Sequence, residues 1–234
     1  MSATDAFSTR RLIAIGDIHG CAQTLHELLQ KLQIYFNKGY TFVFIGDYID
    51  RGPDSARVFD ILMQLAETES CVFLRGNHEQ MMMDALQGKN RRLWMMNGGL
   101  QTIASFTADD FYTQLPDRYR TFLEQTRLYF DTPDFFFTHG GLEPHIPIHA
   151  QLTDPQQASD FLWERAHIGA SLSSIAWEKP VVFGHTPVPE VINDALRLGI
   201  DTGCVFNHRP DMGFLSAVVL PERRFLHQEY VEFR

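Results

Sequence analysis

Residues 11–20, RLIAIGDIHG, decide the fold class, because a short apolar run leads directly into a turn with acidic and imidazole side chains. RLIAI predicts a buried strand, and the apolar spacing from Cys21 to Leu32 predicts a helix after the turn. TFVFI from Thr41 predicts a second strand, and CVFL from Cys71 predicts a third. Strands that alternate with helices in this way are typical of a parallel sheet with helices packed outside.

The rest of the chain extends this pattern. Helices are predicted from about Asp54 and from His78 to Leu86, and residues 89–125 predict a small helical cap. In the back half, short strands of a more antiparallel sheet are predicted at VIND, LRLGIDTG, GFLSAVVL and RRFLHQEYVEF. We therefore expect one α/β domain over residues 1–234, built as a four-layer αββα sandwich of two mixed sheets flanked by helices.

The composition excludes several classes of protein. The chain has 20 Lys and Arg against 29 Asp and Glu, a formal net charge of -9, which argues against a nucleic-acid partner. Three cysteines without CxxC spacing predict neither a disulfide framework nor a thiolate zinc site. The sequence has no apolar stretch typical of a signal peptide or a membrane span, so we expect a cytoplasmic protein with no membrane partner. The oligomeric state is open from the sequence, and a monomer is favoured.

Five turns after apolar runs carry side chains that can bind metals. They are Asp17 and His19 in GDIHG, Asp47 and Asp50 in GDYIDRG, Asn77 and His78 in RGNHE, His139 after FFFT, and His185 after VVFG. Each motif alone also fits a structural role, such as a buried histidine or a helix cap. Their conjunction at strand ends, where open α/β sheets bind ligands, favours a metal site. Carboxylate, amide and imidazole ligands suit Mn²⁺, Fe or Zn²⁺.

The motifs GDIHG, GDYIDRG, RGNHE, THGG and FGHT, in that order, resemble the signature of the phosphoprotein phosphatases within the calcineurin-like metallophosphoesterases. The bacterial and phage lambda-type protein phosphatases are more similar still. That similarity lies in RGNHEQMMMDAL, Trp94 with NGG at 97–99, WERAHI from Trp163, FGHTP and IDTGCVF from Ile200. The resemblance extends from about residue 11 to about residue 220.

The resemblance implies a role for each matched residue, with two divalent metal ions as cofactors and Mn²⁺ as the expected metal. The implied ligands are Asp17 and His19 on the first metal, Asp47 as the bridge, and Asn77, His139 and His185 on the second. His78 would be the general acid, oriented by Asp50. Arg51 and Arg165 would bind phosphate oxygens, which the planar guanidinium fork matches.

The function expected from this resemblance is hydrolysis of phosphoserine and phosphothreonine, with phosphotyrosine as a further candidate, by direct attack of a hydroxide that bridges the metals. The expected partners are phosphorylated proteins. The alternative is a dinucleoside tetraphosphate hydrolase. Such relatives typically have another residue at Asp50 and Asp at Glu79, so the motifs favour the phosphomonoesterase. A non-catalytic phosphoprotein scaffold would not need His78, and the acidic balance disfavours a nuclease.

Overall fold

The computed structural model describes residues 11–106, 111–153 and 159–232. In chain order the strands are β1 (Leu12–Ile15), β2 (Thr41–Phe44), β3 (Ser70–Phe73), β4 (Tyr129–Asp131), β5 (Phe136–Thr138), β6 (Val181–Phe183), β7 (Ile192–Asn193), β8 (Arg197–Gly199), β9 (Phe214–Leu220) and β10 (Arg224–Glu229). The helices are α1 (Ala22–Leu32), α2 (Ser55–Ala66), α3 (Asn77–Leu86), α4 (Arg91–Trp94), α5 (Leu100–Ser105), α6 (Phe111–Gln114), α7 (Asp117–Gln125), α8 (Ile148–Gln151), α9 (Asp160–Trp163) and α10 (Ala166–Gly169).

The strands form two mixed five-stranded sheets, as predicted. The first has the order β10-β9-β1-β2-β3, with β1, β2 and β3 parallel. The second has the order β4-β5-β6-β8-β7, with β5, β6 and β8 parallel and an antiparallel strand at each edge. The three predicted helices of the first third are present as α1, α2 and α3. The α2 helix begins after Asp54, whose carboxylate accepts the backbone N–H of Arg57 at 2.9 Å.

The four layers follow from the period-two alternation of buried side chains along the strands. In β1, Ile13 and Ile15 belong to the core that includes α1, whereas Leu12 and Ala14 belong to the core between the sheets. The second sheet repeats the pattern. Phe137 packs between the sheets, whereas the preceding residue, Phe136, lies in a third, outer core. Each fully buried Ile or Leu stabilises the fold by about 1.5–3 kcal/mol, so this alternation fixes the strand register.

The last two predicted strands, GFLSAVVL and RRFLHQEYVEF, do not lie in the second sheet with the strands at VIND and LRLG, and this part of the prediction is wrong. The β9 strand pairs antiparallel with β1, with Leu220 opposite Leu12, and β10 pairs with β9. Six consecutive residues of β9, from Leu215 to Leu220, are buried. A strand buried on both faces is stable in the middle of a sheet, and β9 therefore completes the first sheet instead of lying in the second.

The segment predicted as a cap contains helices α4 to α7. Their apolar side chains join the core of the first sheet, where Phe122 packs against Phe59 of α2 and Phe73 of β3, with ring centroids 5.3 and 4.8 Å apart. Residues 107–110 of the predicted cap lie outside the described residues. None of the helices in the described ranges has the length and apolar character needed to cross a bilayer.

Candidate active site and metal centre

The turns that follow the strands have an unusual backbone. Five non-glycine residues there have positive φ angles between 47° and 73°, and they are His19, Asp47, Asp50, Arg51 and His185. Side chains with a β-carbon rarely adopt this region, and such strained conformations cluster at functional sites. Gly184 allows a close approach, because a β-carbon at this position would lie 2.0 Å from Oδ1 of Asp17.

One group of candidate ligands gathers around the side chain of Asn77. Its Oδ1 lies 2.9 Å from Nε2 of His139 and 3.0 Å from Nδ1 of His185. Nδ1 of His139 lies 3.1 Å from the carbonyl oxygen of Ile45, which fixes the ring with Nε2 turned to the centre. Nε2 of His139 is also 3.3 Å from Oδ1 of Asp47. Four predicted ligands therefore converge on one buried point.

A second group shares Asp47 with the first. Nδ1 of His19 lies 2.8 Å from the carbonyl oxygen of Ile49, and its Nε2 lies 3.4 Å from Oδ2 of Asp47. Asp47 thus offers Oδ1 to one group and Oδ2 to the other, which is the position of a bridging ligand. Ligand atoms of His19, Asp47 and His78 lie within 4.8 Å of one another, as do those of Asp47, His139 and His185.

The hydrogen bonds and charge of Asp17 indicate whether these residues fit a metal. Its Oδ2 accepts the backbone N–H of His185 at 2.9 Å, but its Oδ1 is buried and has no hydrogen-bond partner in the described part of the chain. Burial, followed by the nearby charges of Asp201 and Asp47, raises the pKa of Asp17 well above its ordinary value. A buried carboxylate oxygen in this state is costly unless a cation compensates it. The donor set therefore fits a pair of divalent cations.

The charge states suit metal binding. Burial lowers the pKa of His139, and it lowers that of His185 to about 2, so both rings are neutral and can act as ligands. Burial alone would raise the pKa of Asp47, but the surrounding histidines lower it, so this carboxylate stays ionised. The choice among Mn²⁺, Fe and Zn²⁺ stays a prediction, since this donor set accepts each of them.

His78 forms a buried pair with Asp50. Its Nδ1 lies 2.6 Å from Oδ2 of Asp50, and its Nε2 faces the centre, 3.9 Å from Oδ2 of Asp47. Burial disfavours the charged ring, but Asp47 and then Asp50 outweigh it and raise the pKa of His78. This geometry is compatible with a proton at Nε2, and the role of general acid stays a prediction.

Two arginines flank the centre, and two exposed or half-buried aromatic rings contact Arg51 and His185. Nη1 of Arg51 is 2.6 Å from Nε2 of His19, and Nε of Arg165 donates to Nε2 of His185 at 3.0 Å. Arg51 lies over the ring of Phe206, with 5.6 Å from its guanidinium carbon to the ring centroid. The ring of Trp163 meets that of His185 edge to face at 5.7 Å and is 45% exposed. Phosphate oxygens and a flat ring can therefore bind side by side here.

Sequence reasoning missed three residues that support this site. Glu79, used above only to compare substrate classes, accepts the backbone N–H groups of Asp47, Tyr48 and Gly76 and so joins two motifs. Trp94 was quoted only for its resemblance, and its indole N–H donates to both carboxylate oxygens of Asp50 at 3.1 and 2.9 Å. Thr102 lies in no motif, so nothing local indicated its contact with Asp50.

Asp201 lies beside the centre. Its Oδ1 accepts the backbone N–H of Gly203 at 2.9 Å, and burial raises its pKa to about 7. Its charge acts on Asp17, where it is the second cause of the raised pKa.

The sequence matches the calcineurin-like phosphoesterases over residues 10–212, and the chain belongs to this family. The family uses a dinuclear divalent metal centre, which the two ligand groups sharing Asp47 can hold. The protein is therefore a metallophosphoesterase, a hydrolase of phosphate esters.

Its relatives differ in substrate. The asymmetrical bis(5'-nucleosyl)-tetraphosphatase PrpE of Oceanobacillus iheyensis is 28% identical over 241 aligned residues, covering 91% of this chain and 89% of that protein. Serine/threonine-protein phosphatase 1 of Salmonella typhimurium is 30% identical, covering 86% of this chain and 90% of that protein. A solved structure of a protein serine/threonine phosphatase from Saccharomyces cerevisiae has a TM-score of 0.66 at 16% identity, covering 98% of this chain and 83% of that chain, a likeness of fold.

Proposed function

We propose that the chain hydrolyses dinucleoside tetraphosphates at the dinuclear centre. The observation that carries this proposal is the pairing of phosphate-binding and ring-binding groups. Arg51 lies over Phe206, and Trp163 stands half exposed against His185, to which Arg165 donates. A substrate with a polyphosphate chain and two nucleobases can use both kinds of group, because every base offers a π-face for stacking.

The comparison with PrpE supports the same substrate class, since that relative matches 91% of the chain. The preference for phosphoproteins that the DRG and NHE motifs suggested is not confirmed. It rested on the expectation that dinucleotide hydrolases differ at Asp50 and Glu79.

In this proposal the residues of the site bind metal, orient phosphate or donate a proton. Asp17, Asp47, Asn77 and the three ligand histidines would hold the two cations. When bound, such a pair activates water and neutralises charge on the phosphoryl group. Arg51 and Arg165 orient the phosphate oxygens, each with a planar fork of donors. His78 holds a proton at Nε2 for the leaving oxygen, and Asp50 keeps its ring in place.

A second candidate is the phosphoserine and phosphothreonine phosphatase predicted from the motifs, with phosphotyrosine as a further substrate. The specific observation in its favour is the His78–Asp50 pair, 2.6 Å apart and buried. The alkoxide that leaves from a phosphoserine needs a proton more than the phosphate that leaves from a tetraphosphate. Serine/threonine-protein phosphatase 1 of Salmonella typhimurium, 30% identical, supports this candidate.

A substrate panel separates the two candidates. Metal-loaded protein is assayed on diadenosine tetraphosphate and on phosphoserine and phosphothreonine peptides, with chromatography of the nucleotide products. We expect kcat/KM for the dinucleotide to exceed that for each peptide by about tenfold or more, which is roughly 1.4 kcal/mol in transition-state binding. Faster turnover of a peptide would replace the first candidate with the second.

A further inference from the structure

A cleft lies between the loop that joins β8 to β9 and the end of β10. Its volume is about 400 Å³, within the range of small-molecule sites. Its lining includes Asn207, Arg209, Met212, Phe214, Glu229 and Tyr230. Phe214, Glu229 and Tyr230 belong to predicted strands, and none of the lining residues belongs to a metal-binding motif.

The loop connects the cleft to the catalytic centre. Its backbone folds in successive turns, in which the N–H of Phe206 donates to Gly203 at 2.8 Å and that of Arg209 donates to Phe206 at 2.9 Å. The N–H of Gly213 closes the loop on the carbonyl oxygen of Gly203 at 3.0 Å. Phe206 contacts Arg51, and the next residue, Asn207, already lines the cleft. The loop therefore joins the cleft to the side of the centre where Arg51 lies 2.6 Å from Nε2 of His19.

The side chains in the cleft match the parts of a nucleotide. Phe214, 37% exposed, and Tyr230 offer aromatic rings for a base. Arg209 pairs with Asp211 at 3.3 Å, but both side chains are exposed, and such surface pairs are weak enough to exchange for a phosphate oxygen. The exposed carboxylate of Glu229 can accept hydrogen bonds from ribose hydroxyl groups.

We propose that this cleft binds the nucleoside of the substrate that is remote from the scissile bond. The inference rests on the proposed dinucleotide activity and extends it, because it assigns the two bases to different places. Trp163 lies against His185, whereas the loop that lines the cleft contacts Arg51 through Phe206. The cleft thereby distinguishes nucleotide substrates from phosphate esters that lack a second large group.

The test compares two ligands that differ only in the nucleoside. The metal-loaded enzyme is titrated in a calorimeter with the β,γ-methylene analogue of ATP and with tripolyphosphate that carries the same methylene bridge. In the wild type we expect the nucleotide to bind roughly 5- to 100-fold more tightly, the contribution of base stacking. In Phe214→Leu, which keeps an apolar side chain but removes the ring, this ratio falls about fivefold or more. In Glu229→Gln it falls by a smaller factor.

Matched variants make the outcome specific. Tyr129→Ala removes another partly exposed ring, on β4 of the second sheet, and keeps the wild-type ratio. Equal affinity of both ligands for the wild type, or a ratio unchanged in Phe214→Leu, overturns the inference. A ratio lost only in Trp163→Ala also overturns it, because the base then stacks at the metal centre. If the wild type shows a Phe214-dependent ratio but does not hydrolyse diadenosine tetraphosphate, the cleft stands and the proposed substrate falls.

Discussion

Thr102 donates a hydrogen bond from Oγ1 to Oδ1 of Asp50 at 2.6 Å, across 52 positions of sequence. The same Oγ1 accepts the backbone N–H of Asp50 at 2.9 Å. One threonine of α5 therefore binds both the backbone and the carboxylate of Asp50, the residue that contacts His78. Helix α5 also packs on α2.

Removal of this contact should lower catalysis without changing metal binding. In Thr102→Val we expect kcat to fall roughly 2- to 10-fold, the effect of losing one hydrogen bond of about 0.5–1.5 kcal/mol to the carboxylate, with KM and metal content near wild type. The backbone N–H of Asp50 keeps a second acceptor, Oγ of Ser55 at 3.1 Å. Thr102→Ser keeps the hydroxyl and should recover most of kcat. Steady-state kinetics with metal analysis of each variant checks this. A fall in metal content together with kcat would mean that the threonine supports the fold of the centre instead.

The loss of kcat caused by replacing His78 should increase with the basicity of the leaving group. We expect His78→Asn to lose about 10²–10⁴-fold in kcat on a phosphoserine peptide, because the alkoxide then leaves unprotonated. The loss should be much smaller on p-nitrophenyl phosphate, whose phenolate is a stable leaving group. Parallel kinetics on both substrates measure the difference. Equal losses on the two substrates would show that His78 acts in binding or in holding the ligands, and not as an acid.

The two-group arrangement predicts unequal effects on metal content. Asp47 offers an oxygen to each group, so Asp47→Asn should weaken both sites and leave well under one metal per chain after dialysis. Asp17→Asn should affect one site and leave about one of the two ions expected for such a centre. Elemental analysis by mass spectrometry gives the stoichiometry, with Asp131→Asn at the surface as the control. Equal retention in both variants would contradict the bridging role of Asp47.

The sequence was sufficient for the parts of the site that local signals encode. Each ligand follows a strand or opens a helix, and an apolar run followed by glycine and a polar residue is visible within ten positions. Contacts between distant segments were not predictable, because no local pattern records them. The N–H of His185 that binds Asp17 lies 168 positions away, and the pairing of β9 with β1 joins opposite ends of the chain. Thr102 has an ordinary helical environment in sequence, and only the folded chain brings it to Asp50.

His167 is a buried histidine outside the centre. Both ring nitrogens are buried without a hydrogen-bond partner among the described residues, and the ring packs edge to face on Phe183 with centroids 4.3 Å apart. Burial, and then the charge of Arg197, lowers its pKa to about 4. The neutral ring is therefore favoured in the folded protein, whereas the unfolded chain takes up a proton near pH 6.5.

This difference predicts a loss of stability in acid. Below about pH 6.5 the unfolded state binds the proton and the folded state does not, so the contribution of His167 is present above that pH and is lost as the pH falls toward 4. Between pH 7 and pH 4.5 the loss from this residue should be about 2–3 kcal/mol. His167→Phe keeps a ring against Phe183 and cannot be protonated, so its free energy of unfolding should fall by that much less over the same interval. Urea denaturation of both proteins at the two pH values measures this, and parallel losses would show that the ring is protonated in the folded state.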